Sequence, residues 1–346
     1  MSAMIPHSCP CFDAEDEAAV RATLEARFVT HGDAARRLGA AGAAAMGKRW
    51  GIAVQSGTDA IAAALRLLGV GPEARVALPA YMCGAALDAC ALLGATPVFV
   101  DVAEATLAID PAKVNAERGL AAVVAAHLFG VPAPVWKIRA APVVEDCAQT
   151  LGVQAGGRPA GGHGVFSMTS FYGTKLLAAG HGGLLAGDDA SREEAAWNLF
   201  LHDKIETWTP HFHFLMSDLA ASLALSQLGK LDRFIAARRA IAARFAEALG
   251  QAPRAGCAYS RFIVVADDAA AMVARFRAAG IEAKGPVHKA AALAFGIDED
   301  AVPVAAWAQR HCVSVPLYPA LAEEHCAHIA AFLREHAHAL RCWPPA

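Results

Sequence analysis

Short apolar runs alternate with segments of helical periodicity along most of this chain. The runs are rich in Val and Ala, and the segments between them repeat apolar residues at helical spacing. This alternation is typical of a parallel sheet whose strands are joined by crossover helices. The sequence therefore predicts an α/β fold with a sheet of about seven strands. The predicted strands span residues 51–54, 76–79, 97–101, 122–127, 142–146, 165–171 and 183–186.

A second, smaller unit is predicted at the C-terminal end of the chain. A long helical segment over 217–249, broken near Gly229, separates this unit from the large sheet. Two further helices, over 58–68 and 85–93, are predicted between the strands of the large sheet. We therefore divide the chain into a large domain of residues 1–245, which includes the N-terminal segment, and a small α+β domain of residues 246–346. The predicted elements of the small domain are strands over 261–266, 281–288 and 313–317 and helices over 269–279 and 321–335.

Composition narrows the class of protein. Of 346 residues, 56% are hydrophobic and 18% are charged, which excludes a disordered chain. The net charge of −3 gives no basic patch, so nucleic acid is not an expected partner. The most apolar stretch, 121–136, is too short and too broken by His127 and two prolines to cross a membrane. The N-terminus lacks the basic start and apolar run of a signal peptide.

The nine cysteines indicate a location in the cell. Their number is odd, and none forms a CxxC pair. Scattered thiols with apolar neighbours are typical of small core residues in a reducing cytoplasm. We therefore expect a cytoplasmic protein without a metal site. The alternative is a metal ion bound by Cys9 and Cys11, which are close in sequence, or by Cys326 and His328.

Two segments could each bind part of a cofactor. The run Ser56-Gly57-Thr58-Asp59 lies between a predicted strand and a predicted helix, where free N–H groups and hydroxyls suit a phosphate. An ordinary helix N-cap is the alternative. Glu145-Asp146 ends an apolar strand, and a carboxylate buried there needs a partner such as a protonated pyridine nitrogen. An acid that caps the next turn is the alternative.

Lys175 is the most distinctive charged residue in the chain. It is the only Asp, Glu, Lys or Arg between Arg158 and Asp188, and so apolar a setting suits imine formation with an aldehyde. A lysine that extends from a helix end is the alternative. Ser170 lies nearby in the sequence and could contact a phosphate. A phosphate anchor, an acid and a lysine, in this chain order, are the groups that pyridoxal phosphate requires.

The chain resembles the DegT/DnrJ/StrS family of fold-type-I, pyridoxal-phosphate-dependent aminotransferases, which are best known for making amino sugars on nucleotide carriers. The resemblance extends from about residue 5 to 334 and implies a seven-stranded, mainly parallel sheet between helices. Its motifs are specific for the family and weakly specific for the substrate. The matching stretches are 28–32, 56–60, 78–81, 94–101, 127–130, 145–149, 170–175, 216–219 and 314–317.

The resemblance implies a role for each matched residue. Lys175 matches the lysine that forms a Schiff base with the cofactor and moves the proton, and its presence argues against the family's dehydratase branch, which has histidine there. Asp146 matches the acid that keeps the pyridine nitrogen protonated. The remaining expected cofactor contacts are Gln149 at the phenolic oxygen, Gly57, Thr58 and Ser170 at the phosphate, and His127 near the cofactor.

Several positions depart from the family pattern. Cys83 stands where an aromatic residue often stacks on the cofactor, so Cys83 is kept as a cofactor contact, with stacking by Tyr81 as the alternative. His213 and Leu215 replace an asparagine and an arginine that reach the partner subunit's phosphate, so His213 is kept as a cofactor contact. The candidate substrate residues are Tyr81, His181 and His288, the last followed by Lys289 where the family often has tyrosine.

Other residues carry weaker expectations. Trp197 and Trp208 flank a loop that could contact substrate, with a packed tryptophan as the alternative. Arg238 and Arg239 are expected on a solvated helix face.

The resemblance implies a homodimer with active sites at the subunit interface. The implied reaction is transamination, in which an amino acid, with L-glutamate as the expected donor, yields a pyridoxamine phosphate intermediate that aminates a keto sugar, expected to be nucleotide-linked. One alternative is the same chemistry on a non-sugar ketone or aldehyde of a secondary-metabolite pathway. Another is a non-catalytic, cofactor-binding regulatory protein on the same fold.

Overall fold

The computed structural model describes residues 4–201 and 210–343. Its strands are β1 (Trp50–Val54), β2 (Arg75–Pro79), β3 (Thr96–Val100), β4 (Leu120–Ala126), β5 (Val143–Asp146), β6 (Gln154–Ala155), β7 (Arg158–Pro159), β8 (Phe166–Ser170), β9 (Gly183–Gly187), β10 (Phe262–Val265), β11 (Cys312–Val315) and β12 (Arg341–Trp343).

Helices connect and cover these strands. They are α1 (Ala14–Glu25), α2 (Asp33–Ala45), α3 (Gly57–Leu67), α4 (Ala85–Leu92), α5 (Pro111–Ala116), α6 (Ala190–Phe200), α7 (Asp218–Leu228), α8 (Leu231–Ala248), α9 (Ala269–Ala278), α10 (Ala291–Phe295), α11 (Pro303–His311) and α12 (Glu323–Glu335), with 3₁₀ turns at Val135–Lys137 and Glu299–Ala301. Within the described ranges, no helix combines the length and the apolar character that crossing a membrane requires.

The predicted α/β fold is confirmed. Seven strands form one sheet in the order β1-β9-β8-β5-β4-β2-β3. Neighbouring strands pair in parallel except β9, which runs antiparallel to both β1 and β8. The chain between β8 and β9 forms a loop instead of a crossover helix, so β9 returns in the opposite direction. This loop contains Lys175.

The two faces of the sheet are covered by different helices. Alternate residues of β1 and β9 enter two separate clusters, because side chains along a strand point to opposite faces. Ile52 and Leu185 join the cluster that contains α3, and Ala53 and Leu184 join the cluster that contains residues of α2 and α7. Burial on both faces explains why the strands appear as nearly continuous apolar runs in the sequence.

The C-terminal unit has its own three-stranded antiparallel sheet, in the order β11-β10-β12. The predicted strand over 281–288 is wrong. This segment makes two isolated bridges, from Ile281 to Ile5 and from Lys284 to Ser314, and then meets Gly285-Pro286, where proline offers no N–H for a ladder. The N-terminal segment pairs with the same unit through Ile5, whose N–H donates to the carbonyl of Gly280. The predicted domain boundary at 245/246 lies inside α8.

Candidate active site

The carboxyl ends of the parallel strands meet at one edge of the large sheet. Ligands of open α/β sheets bind at this edge, because the loops that follow the strands converge there. β1 leads to Ser56 and α3, β5 ends at Asp146, and β8 ends at Ser170, five residues before Lys175. The fold therefore brings the three predicted chemical segments to the same edge.

The N-terminus of α3 lies against the end of β8. Ser56 caps the helix, since its side chain accepts a hydrogen bond from the N–H of Asp59. A Cβ at Gly57 would lie 2.7 Å from Met168 Cε and 3.0 Å from Ser170 Cβ. Glycine thus allows the first turn of the helix, including Thr58, to approach the Ser170 hydroxyl. The N-cap alternative for Ser56–Asp59 is therefore observed, and the helix N–H groups and hydroxyl in this arrangement also suit a phosphate.

Alanine at Gly57 is expected to weaken cofactor binding. Its Cβ would force the helix N-terminus away from Ser170, and the dissociation constant should rise roughly tenfold or more, since overpacking costs about 1–3 kcal/mol. Titration of the apoprotein with pyridoxal phosphate, followed by fluorescence, measures this. Gly71→Ala is the matched control, because a Cβ there meets nothing within 4 Å. Unchanged binding in Gly57→Ala would place the phosphate elsewhere.

Asp146 is the half-buried acid at the end of β5. Its Oδ1 accepts a hydrogen bond from the N–H of Ala148 at 2.9 Å. None of the ion pairs found in the described parts of the chain includes Asp146. The carboxylate therefore remains available for a protonated ring nitrogen.

Glu145 has the opposite role, because it points to the other face of the sheet. Its Oε1 accepts from His127 Nε2 at 2.8 Å and from the N–H of Gly161, and its Oε2 accepts from the N–H groups of His163 and Gly164. Burial alone would raise the pKa of Glu145, but the hydrogen bonds and the His127 ring outweigh it and lower the pKa to about 2. This carboxylate holds strands and loops together.

His127 belongs to the same buried network. Its Nδ1 accepts from the N–H of Ala133 at 2.7 Å, so the proton lies on Nε2, which donates to Glu145. Both ring nitrogens are thus occupied, and the side chain is completely buried. The expected cofactor contact does not fit these bonds, and His127 has a structural role. Cys147 lies near the His127 ring and the Glu145 carboxylate, but the ring nitrogens and carboxylate oxygens of these two residues are already engaged in hydrogen bonds and are not free to bind a metal ion.

Lys175 follows β8 in a tight loop. Its backbone N–H donates to the carbonyl of Tyr172 at 2.8 Å, and the following residues, including Leu176, are buried. The half-buried lysine side chain lines a narrow cavity together with Arg238, Ser260 and Arg261 from the C-terminal half of the chain. The position beside a cavity at the sheet edge agrees with a reactive amine and not with a surface charge.

Gln149 is held in a defined orientation. Its Oε1 accepts from the N–H of Phe129 at 2.9 Å and from the hydroxyl of Ser260 at 3.3 Å. A backbone N–H can only donate, so the oxygen must face Phe129 and the Nε2 amide is directed away from it. That amide is the donor expected at the phenolic oxygen of the cofactor.

Cys83 and Tyr81 follow β2 and differ in exposure. Cys83 is exposed at the sheet edge. Tyr81 is completely buried, packs edge-to-face on Phe129 at 6.3 Å, and its hydroxyl has no hydrogen-bond partner among the described residues. Burial raises the pKa of Tyr81. The expected substrate contact of Tyr81 therefore does not fit its place in the core.

The candidate histidines occupy three separate positions. His181 is exposed and lines a cavity of about 500 Å³ with Ser56 and Asp59. The carbonyl of His213 accepts from Gln55 Nε2 at 2.8 Å, so this segment lies against the end of β1, near the helix N-terminus. His288 is exposed, and its carbonyl lies 3.3 Å from Gln309 Nε2, in the C-terminal unit.

The predictions for the two tryptophans and the two arginines are confirmed only in part. Trp197 is half-buried and packs edge-on against His31 at 5.7 Å, and Trp208 lies outside the described residues. The expectation for Arg238 is wrong, because it is buried, while Arg239 is exposed as expected. Arg261, which lines the same cavity as Lys175, was not among the predicted site residues, although it is a charge immediately before the apolar strand β10.

The residues at the edge fit pyridoxal phosphate. Because Gly57 has no Cβ, the N-terminus of α3 lies close to the Ser170 hydroxyl, and together they could bind the phosphate. Asp146 has no cationic partner among the described residues, and Lys175 lines a cavity in the loop that follows β8. Anion site, acid and amine are the donor set that this cofactor needs.

Comparison with known proteins agrees with this assignment. A model of the DegT/DnrJ/EryC1/StrS aminotransferase family matches residues 10–334. The chain is similar to the aminotransferase TlmJ from Streptoalloteichus hindustanus, with 28% identity, a TM-score of 0.87 and coverage of 96% of this chain and 98% of that one. It is also similar to S. venezuelae DesV, with 26% identity, a TM-score of 0.88 and coverage of 97% and 100%.

A more distant structure shares the fold in its cofactor-bound form. Spr1654 from Streptococcus pneumoniae, solved in its PLP form, has 22% identity, a TM-score of 0.88 and coverage of 97% and 99%. The family match covers nearly the whole chain and includes the Gly57, Asp146 and Lys175 segments. The chain therefore belongs to the DegT/DnrJ/EryC1/StrS family of pyridoxal-phosphate-dependent aminotransferases.

Proposed function

We propose that this aminotransferase transfers the amino group of L-glutamate to a keto sugar carried on a nucleotide. The observation that carries the transamination chemistry is the convergence of Lys175, Asp146 and the α3 N-terminus at one sheet edge. The fold does not choose the acceptor, because folds serve many substrates. Spr1654 is provisionally named a sugar aminotransferase, and another protein of this fold, at 24% identity, is 3-amino-5-hydroxybenzoic acid synthase.

Each residue at the edge has a defined task in this proposal. Pyridoxal phosphate supplies a carbonyl carbon for imine formation and a ring that delocalises the electron pair released at the amino acid's α-carbon. Lys175 Nζ would bind that carbonyl carbon at rest and, once released as a free amine, would move the proton at the amino acid's α-carbon. Asp146 would hold a proton on the ring nitrogen, and Gln149 Nε2 would donate to the phenolic oxygen. Thr58 and Ser170 would bind the phosphate.

The cavity beside His181 supports a polar acceptor. Gln55, Ser56, Asp59 and Ser217 line it, so hydroxyl, amide and carboxyl groups surround about 500 Å³. Burial raises the pKa of Asp59, against the opposing hydrogen bonds from Ser56. Such a lining offers both donors and acceptors to sugar hydroxyls.

A homodimer with active sites at its interface is also part of this proposal, and exposed apolar residues support the assembly. Leu24, Phe28 and Val29 are 56%, 54% and 39% exposed. Phe28 also lines a groove of about 820 Å³ with residues of α1 and α7. Exposed apolar residues around a groove mark a contact surface. Light scattering after size-exclusion chromatography tests the assembly.

The donor and the acceptor are tested in separate half-reactions. The absorbance band of the lysine-linked cofactor should disappear when L-glutamate is added to the purified holoenzyme. The amino form should then regain that band with a nucleotide-linked keto sugar, and mass spectrometry should detect the aminated sugar. An unchanged band with L-glutamate would exclude this donor. Turnover of small ketones without turnover of any nucleotide keto sugar would exclude the sugar acceptor.

A non-sugar ketone or aldehyde is the second candidate acceptor. The observation that favours it is the lining of the cavity beside His181, which contains Leu215 and, in the part of the chain that the structure describes, no Lys or Arg. A nucleotide diphosphate would find no lysine or arginine side chain among the described residues of this lining. The same acceptor panel distinguishes the two.

A further inference from the structure

A further cavity, of about 720 Å³, lies between the loop that follows β3 and the C-terminal unit. Its lining comes from that loop, from α11, from β12 and from Val265 at the end of β10. Arg261, which lies beside Lys175, immediately precedes β10, so about 13 Å of strand separates it from Val265 at roughly 3.3 Å per residue. The cavity is therefore distinct from the edge that holds Lys175, and its volume suits a small molecule.

Hydrogen bonds between the loop and the C-terminal unit hold the walls of this cavity in place. Trp343 Nε1 donates to the carbonyl of Glu104 at 3.1 Å. The buried carboxylate of Asp101 accepts from the N–H groups of Val304 and Ala305, at the start of α11, at 3.2 and 3.0 Å. Because these bonds fix both walls, the space between them is a preformed cavity, as is usual for sites of small ligands.

Two tryptophans form part of the apolar wall. Trp343 is buried, and its ring packs edge-to-face on Phe129 at 5.9 Å. Trp307 is only half-buried, and its ring stacks on that of His311 at 5.6 Å. Together with Pro303, the two indoles give the cavity an aromatic surface that is not fully covered. Aromatic groups prefer to pack on such surfaces, so the wall favours a ligand with an aromatic ring.

One positive and one negative side chain line the same cavity. Arg341, which pairs with Val265 through its backbone, and Glu104 are both exposed. Within the ranges that the structure describes, no ion pair includes either of them. A ligand with a single charge would be attracted by one of these groups and repelled by the other, whereas a zwitterion complements both.

We propose that this cavity binds an aromatic α-amino acid, at a site separate from the cofactor edge. The guanidinium of Arg341 donates to the ligand's carboxylate, the carboxylate of Glu104 accepts from its ammonium group, and the ring packs on Trp307. The bound amino acid then bridges the loop after β3 and the C-terminal unit. The proposal does not depend on the acceptor or on the donor of the transamination.

Calorimetric titration of the holoenzyme with L-phenylalanine tests the site. Phenethylamine and 3-phenylpropionate are the comparison ligands, because each lacks one of the two charges. L-Phenylalanine should bind roughly tenfold more tightly than either, since each of them loses a charge-assisted hydrogen bond. Trp307→Ala should raise the dissociation constant of L-phenylalanine roughly tenfold. Trp136→Ala is the matched control, because Trp136 is also half-buried and does not line the cavity.

Charge variants identify which end of the ligand each residue binds. The advantage of L-phenylalanine over phenethylamine should disappear in Arg341→Gln, and its advantage over 3-phenylpropionate should disappear in Glu104→Gln. Arg334→Gln, at an exposed position of α12 outside the cavity, should leave all three affinities unchanged. Both charged residues of the cavity are exposed, so their variants should fold. Equal affinities of the three ligands for the wild type, or unchanged preferences in both variants, would overturn the proposal.

The same titrations distinguish this cavity from other places and other occupants. The absorbance of the cofactor is recorded in parallel, and binding that alters it and persists unchanged in Trp307→Ala takes place beside Lys175. If only a chain shortened by residues 344–346 binds L-phenylalanine, those residues occupy the cavity. If light scattering shows a smaller assembly for Trp307→Ala, the cavity is a contact between subunits. Each of these three results contradicts the proposal.

Discussion

Lys175→Ala is expected to abolish transamination, with a loss of at least about 10⁴-fold in the rate of the donor half-reaction. Two contributions disappear together. The amine that links the cofactor is lost, and so is the base that moves the proton at the α-carbon. No other lysine lines the cavity where Lys175 lies, so no amine within the described residues of that lining replaces it.

Stopped-flow absorbance with L-glutamate measures this loss. The purified variant should also lack the band of the lysine-linked cofactor. Lys137→Ala is the control, because Lys137 is an exposed lysine on a 3₁₀ turn and should react as wild type does. A donor half-reaction rate of Lys175→Ala within about tenfold of the wild-type rate would contradict the assignment. A tenfold change in rate corresponds to about 1.4 kcal/mol in the activation free energy.

Asp146→Asn is expected to reduce the same rate by about 10³-fold, comparable to removal of a charge-stabilising group from an active site. The amide oxygen can still accept from the N–H of Ala148, so the local backbone should persist. The amide carries no charge and cannot hold a proton on the ring nitrogen. The carbanion formed at the α-carbon would then be poorly stabilised, while the melting temperature of the variant should remain close to that of wild type.

The adjacent acid supplies the contrasting variant. Glu145→Gln places an amide group against N–H donors, because both carboxylate oxygens of Glu145 already accept two hydrogen bonds each. The free energy of unfolding should fall by about 3 kcal/mol, since buried donors lose their acceptors. Urea denaturation and single-turnover rates, measured on both variants, separate the two roles. Equal loss of stability in the two variants would show that Asp146 is structural as well.

The hydrophobic pattern determined most of the large sheet. The predicted strands from 51–54 to 183–186 are all present close to their predicted bounds, because burial on both faces makes each strand a nearly continuous apolar run. The predicted break near Gly229 separates α7 from α8. The pattern failed at 281–288, where apolar residues suggested a strand but Gly285-Pro286 prevents a ladder.

Adjacent residues of one strand show what a linear pattern cannot decide. Glu145 and Asp146 have similar side chains and neighbouring positions, yet strand alternation directs them to opposite faces. The partners on each face come from distant loops, such as Gly161 and His127 for Glu145. The hydrogen bond to Glu145 also explains why His127, expected near the cofactor, lies in the core, whereas Tyr81 lies there because it packs against Phe129.

The sequence by itself determined the α/β class, the strand positions and the chain order of phosphate loop, acid and lysine, because these depend on local periodicity and on residue chemistry. Only the tertiary structure decided which acid faces the site, that Arg238 is buried, and that Arg261 lies beside Lys175. Arg261 and Lys175 belong to elements that are far apart in the chain. Their approach depends on how the C-terminal unit packs against the sheet, and no local pattern encodes it.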